Sequence, residues 1–130
     1  MSDRARHTPP RSFRAFALHV LPAFAWALLV FVGGGAHTQP ELSVELPIDR
    51  LQHVIAFAIM QLLAFRALGF LRPETTRLSH VWLAALAATL LGVALEIYQL
   101  GLPHRSAELA DVVADGLGAG LGALLVGRRG

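Results

Sequence analysis

Apolar residues in this chain gather into four runs divided by short polar segments. The first covers about 16–33, with only His19 and Pro22 interrupting it, and gives way to Gly33-Gly34-Gly35. The others cover about 50–70, 81–100 and 109–126. Each is as long as the ~17–25 residues a helix needs to cross the ~30 Å hydrocarbon layer of a bilayer. Pro22 is acceptable inside such a helix, because neighbouring helices can satisfy the carbonyl it leaves free. The pattern predicts an all-α fold, a four-helix transmembrane bundle over residues 13–127, behind a disordered cytoplasmic tail at 1–12. Trp82 and Tyr98 stand near the two ends of the third run, where interfacial aromatics belong. A cleaved signal peptide is the rival reading of the first run, with Arg11 and Arg14 as its basic region and Gly34-x-Ala36 as its cleavage site. The length of that run and the spans that follow argue against it.

Polar residues inside the runs refine the picture. Gln61, midway along the second run, is expected to hydrogen-bond to a neighbouring helix, and Arg66 to snorkel towards the headgroups. Asp111 and Asp115 make the fourth run the least apolar, while Gly116, Gly118, Gly120 and Gly122 carry the small-xxx-small spacing of a helix-packing seam. Ser106 is placed to cap that helix, with Glu108 in its first turn. His19 reads as a hydrogen-bonded interior histidine. His7, His37, His80 and His104 sit in or beside loops and read as surface residues, His104 being notable for its neighbour Arg105.

Composition narrows the function classes. With no cysteine among the 130 residues, disulfides, thiolate metal sites and cysteine nucleophiles are excluded. All the basic charge is arginine, and it flanks the apolar runs instead of lining one face, which speaks for a membrane and against nucleic acid. If both ends are cytoplasmic, Arg4, Arg6, Arg11, Arg14, Arg66, Arg72, Arg77, Arg128 and Arg129 lie inside, and only Arg50 and Arg105 lie outside. The positive-inside rule therefore predicts a multi-pass protein of the cytoplasmic membrane, N-in and C-in.

That topology brings the start of span two, the end of span three and the start of span four to the outer surface. Asp49, Arg50 and His53, then Glu96 and Gln99, then Arg105, Asp111 and Asp115 would converge there. Asp49 and His53, Glu96 and Gln99, and Asp111 and Asp115 are each spaced to share a helix face. His53, Glu96 and Asp115 lie roughly one turn, ~5.4 Å, below the rim. Ionisable residues at such depth are expensive, so eight polar residues, seven of them ionisable, meeting at three helix ends favour a functional site over an interhelical lock.

These residues resemble a known family. Asp49-Arg50-x-x-His53-x-x-x-Phe57 is similar to the D-K-x-x-H-x-x-x-F signature of the VanZ-like membrane proteins. Glu96-x-x-Gln99, Arg105, Asp111, Asp115, Gly118 and Gly122 resemble that family's E-x-x-Q…R…D-x-x-x-N-x-x-G-x-x-x-G. Arg50 stands where lysine is usual, and Asp115 where asparagine is usual. The resemblance implies a multi-helix protein of the bacterial envelope; the founding member is tied to resistance to teicoplanin, a glycopeptide antibiotic that binds cell-wall precursors outside the cytoplasmic membrane.

Two readings of the site follow, beside the structural lock. In the first, a membrane lipid, anionic lipid or cell-wall precursor binds: Arg50 and Arg105 grip phosphate or carboxylate, while Asp49, Gln99 and Asp115 orient polar groups. In the second, the protein is an enzyme acting on such a ligand, with His53 as general acid or base held by Asp49 or Glu96, and Asp111 as a further catalytic carboxylate. A divalent metal held by His53, Glu96, Asp111 and Asp115 is a variant of the second reading, but no spacing matches a metal motif such as H-E-x-x-H, so no metal or other cofactor is expected. There is no G-x-S-x-G. Transport is disfavoured, since below Asp115 the fourth run holds only glycine and aliphatic residues down to its end.

Overall fold

The computed structural model describes residues 12–36, 48–103 and 109–128. The expectations for the 1–11 part of the tail, for Arg105 and for the Ser106 cap lie outside the described residues, as does the side chain of Asp49. The described chain is helical: α1 (Phe13–His19), α2 (Leu21–Ala36), α3 (Ile48–Leu71), α4 (Arg77–Leu100) and α5 (Leu109–Gly127). α1 and α2 together form one apolar stretch, and with the other three they make four helices long and apolar enough to cross a membrane.

Local sequence explains the boundaries. Pro22 has no N–H to give and its ring crowds the carbonyl of residue 18, so the helix breaks one residue after His19 and resumes with an Ala23 N–H to Val20 carbonyl bond of 3.1 Å. α4 starts four residues earlier than the apolar pattern predicts, at Arg77. Thr76 caps it by accepting from the Ser79 N–H at 3.2 Å, a local gain that hydropathy does not register. Gly33-Gly34-Gly35, expected to end the first span, lie inside α2 instead. A Cβ at Gly34 would stand 2.8 Å from Leu95 Cδ1, and one at Gly35 2.8 Å from the Tyr98 hydroxyl. The glycines let α2 lie close on α4, and that packing outweighs their poor helix propensity.

α3 touches every other helix, and its most extensive contact is with α5. α2 packs on α3 and α4 but not on α5 among the described residues, so α2 and α5 flank the α3–α4 pair. The packing faces carry small residues. On α4 they are Ala84, Ala88 and Gly92, continued by Leu95, Glu96 and Gln99; on α5 they are Ala114, Gly118, Ala119 and Gly122. Large apolar side chains such as Phe24, Leu28, Leu86, Leu90, Leu117 and Leu124 point outward. In water that distribution would be unfavourable. In lipid, where tails are as apolar as leucine, close backbone packing drives assembly and the large residues face the bilayer.

Of the four glycines expected to form a seam, only alternate ones do so. A Cβ at Gly118 would meet the Val54 carbonyl oxygen at 2.3 Å, and one at Gly122 the Ala58 carbonyl oxygen at 2.8 Å. Gly116 and Gly120 face open space. Polar side chains then tie helices to backbone across the bundle: Trp26 Nε1 donates to the Ala56 carbonyl at 2.9 Å, and Gln61 Nε2, as expected, to the Val81 carbonyl at 3.1 Å. Arg66 is exposed, as a snorkelling side chain must be. His19 bonds through Nδ1 to the Ala15 carbonyl at 2.8 Å and stacks on Phe70. His80 departs from its expected surface position. It is buried at the start of α4, because the 72–76 turn supplies partners for its ring.

Candidate functional site

At the end of the bundle where α2 and α4 finish and α3 and α5 begin, the buried residues change character. Beyond Phe57 and Leu95, towards that end, come His53, Glu96 and Gln99, and α5 contributes Asp111 and Asp115. Each helix places its residue by simple register. His53 lies one turn before Phe57 on the same face of α3, their rings nearly parallel with centroids 6.5 Å apart. Glu96 continues the every-fourth-residue stripe Ala84, Ala88, Gly92 of α4. Asp115 continues the face of α5 that carries Ala119 and Gly122.

The central contact joins α3 to α5: His53 Nδ1 lies 2.7 Å from Asp115 Oδ1. An ionised carboxylate only accepts, so in that form Nδ1 carries the hydrogen and Nε2 is the ring's acceptor. Such a bond fixes the tautomer and orientation of the imidazole. Glu96 reaches the same place from α4. His53, Glu96 and Asp115 can each offer a ligand atom, all within 4.8 Å of one another, and all three residues are buried. Asp115 Oδ2 has no hydrogen-bond partner among the described residues.

The glycine opposite that oxygen was not singled out from the sequence. A Cβ at Gly92 would stand 2.7 Å from Asp115 Oδ2, so α4 is left bare where the carboxylate projects. The signal was present in the Ala84-Ala88-Gly92-Glu96 stripe, which joins small residues to an acid at constant helical spacing. Gly118, beside Asp115 on α5, brings that helix against Val54, the residue after His53. The glycine whose added Cβ would be most crowded among the described residues thus lies next to the His53–Asp115 bond.

The structure gathers His53, Glu96, Gln99, Asp111 and Asp115 at one end. Asp111 is buried one turn nearer the start of α5, outside the trio of His53, Glu96 and Asp115. Gln99 uses its amide to join helices, donating from Nε2 to the Gly34 carbonyl of α2 at 3.1 Å, while its buried Oε1 has no hydrogen-bond partner among the described residues. Arg50 is exposed at the head of α3. Chemically, the arrangement offers an oriented imidazole and carboxylates in a site walled by apolar helix faces.

No curated protein and no solved structure matches the chain. The family model described as VanZ/LLP1 matches residues 16–128. That range runs from within α1 to just beyond α5 and includes every side chain of the cluster. The motif resemblance and the multi-pass helical architecture agree with this match, and the chain belongs to the VanZ/LLP1 family.

Proposed function

We infer that this protein binds the polar headgroup of an envelope lipid or cell-wall precursor at the outer face of the cytoplasmic membrane. The observation carrying this reading is the burial of His53, Glu96, Asp111 and Asp115 together at one end of a bundle otherwise packed with alanine, glycine and aliphatic residues. Holding helices together does not call for so many ionisable groups, and within a membrane they mark a site by default. Arg50 at the rim, with Arg105, supplies cations for a phosphate or carboxylate, and the buried carboxylates accept from sugar hydroxyls or amines. The uneven arginine distribution supports the outward orientation. A ligand of this class would also connect the protein to glycopeptide (teicoplanin) tolerance.

The 2.7 Å bond between His53 and Asp115 favours a second reading, in which the same ligand is also turned over. An imidazole oriented through Nδ1 by a carboxylate can take or give a proton at Nε2, as a general acid–base residue does.

Native mass spectrometry of the full chain in nanodiscs of total bacterial lipid distinguishes these readings. Retention of an anionic lipid or lipid-linked precursor that Arg105→Ala and Glu96→Gln abolish is the expected result. Product formation that His53→Ala removes from a folded protein would move the reading to an enzyme. If neither appears, and the same variants only lower folded yield, the cluster is a structural lock. Orientation is tested separately, since the chain lacks cysteine. Leu102→Cys should react with an impermeant maleimide in intact cells, and Glu74→Cys only after permeabilisation; the reverse pattern would place the cluster at the inner face.

A further inference from the structure

Three helices deliver one metal-ligating side chain each to a single point. We propose that His53 of α3, Glu96 of α4 and Asp115 of α5 form a binding site for a divalent transition-metal cation of the zinc or manganese class. Their ligand atoms lie within 4.8 Å of one another, and all three residues are buried. Ligands ~2.0–2.1 Å from a tetrahedral zinc ion stand about 3.4 Å apart, so small side-chain rotations close the site without moving a helix.

Donor chemistry and charge agree with this geometry. One imidazole with two carboxylates suits borderline divalent cations, whereas magnesium and calcium prefer all-oxygen sites. A neutral imidazole, two carboxylates and a divalent cation sum to zero charge, the form that a low-dielectric bundle accommodates best.

A second observation is independent of the clustering. Asp115 uses Oδ1 for His53, while Oδ2 is buried with no hydrogen-bond partner among the described residues. Oδ2 projects towards α4 at Gly92, where a Cβ would come within 2.7 Å of it, and Glu96 lies one turn further along that face. A cation entering there would replace the hydrogen on His53 Nδ1, so that the imidazole and Asp115 turn from each other to the metal, with Oδ2 on the side from which Glu96 approaches. Three protein ligands from three helices leave one position for water or a ligand oxygen, the open arrangement of reactive zinc sites.

The inference shares side chains with the headgroup reading but does not depend on it, because the test uses the metal alone. The full chain, purified in detergent without added lipid and stripped with chelator, is titrated with zinc and separately with manganese. Bound metal is counted by mass spectrometry, and the zinc shell is read by X-ray absorption. The expected result is one metal per chain, with one imidazole nitrogen and carboxylate oxygens in the shell. Asp115→Asn and Glu96→Gln, both close in shape to the originals, should weaken uptake at least by the roughly 10–100-fold that losing a mere outer-shell partner produces. Replacing His7, His37 and His104 together by alanine should leave uptake intact. The proposal is overturned if the wild-type chain takes up neither metal at micromolar free concentration. It is equally overturned if zinc persists in Asp115→Asn, or departs when His7, His37 and His104 are replaced. Headgroup retention in nanodiscs is a separate measurement, so either idea can fail while the other stands.

Discussion

Two histidines are buried at opposite ends of this bundle, and they are held in different ways. His80, near the start of α4, has Nε2 2.8 Å from the Arg72 carbonyl oxygen and 2.6 Å from Thr75 Oγ1, both in the turn just before its own helix. Its ring stands edge-on to Phe65, and Arg77 of the same helix donates to the Val126 carbonyl at the far end of α5. His53 bonds instead to a carboxylate 62 residues away on another helix, with a second carboxylate close by. The contrast separates a ring that shapes a turn from one set among charges. Satisfying His80 takes a backbone carbonyl and a hydroxyl. The His53 end could have been closed by leucine and alanine, as the middle of the bundle is, so its ionisable groups need a reason other than stability.

The largest expected effect tests that reason directly. His53→Ala leaves the Asp115 carboxylate buried without its imidazole, and breaking a buried pair in this way costs about 3–5 kcal/mol. Replacing both residues by apolar ones, as in His53→Leu with Asp115→Ala, should restore stability to within about 1 kcal/mol of the wild type or raise it, since apolar packing often matches or exceeds a buried ion pair. Thermal unfolding in a mild detergent measures both. If the double variant is as unstable as the single one, the pair is a structural fastening and the contrast between the two ends collapses.

Next in size is the glycine that brings α5 onto α3 beside this pair. Gly118→Ala would put a Cβ 2.3 Å from the Val54 carbonyl oxygen, and backbone cannot yield as a flexible side chain can. A loss of about 1–3 kcal/mol is expected, with the His53–Asp115 distance opened as the helices part. Gly116→Ala, facing open space, should change stability by less than about 1 kcal/mol and in the favourable direction, because alanine is the better helix former. Unfolding curves of the two variants side by side decide it; equal losses would mean that α5 packs through a different face.

The apolar runs made the helices and their approximate limits legible, because a membrane span leaves a long, nearly uninterrupted signature. The gathering of His53, Glu96 and Asp115 was also legible, since alternating spans bring those three helix ends to one level. Features that depend on rotation about a helix axis were not. Gly116 and Gly118 look alike in sequence, yet two residues turn a helix through about 200°, so one faces α3 and the other open space. His80 looked like a loop residue because its partners, Arg72 O and Thr75 Oγ1, are a backbone atom and a hydroxyl that no apolar pattern records. Motif reasoning spoke against a metal held by His53, Glu96 and Asp115 for a related reason. Metal motifs in sequence are short-range spacings on one helix, whereas here each ligand comes from a different helix.

The smallest expected effect concerns the other end. His80→Ala removes a ring whose hydrogen bonds are local, and a net hydrogen bond of this kind contributes about 1 kcal/mol. The Arg72 carbonyl keeps the Thr75 hydroxyl at 2.6 Å and the Thr75 N–H at 3.1 Å, so the substitution strands no acceptor there. Unfolding should therefore shift by about 1 kcal/mol, with a little more for the void beside Phe65. Removing the Thr75 hydroxyl as well, in a Thr75→Val double-mutant cycle, should show coupling, because the two side chains share one carbonyl. Zinc uptake and headgroup retention should stay at wild-type levels, since nothing in the 72–80 segment reaches the end of the bundle where His53 lies. A His80→Ala protein that folds normally but loses either property would show that the turn and the carboxylate cluster respond to one another through the length of α4, and the two histidines could no longer be treated as separate cases.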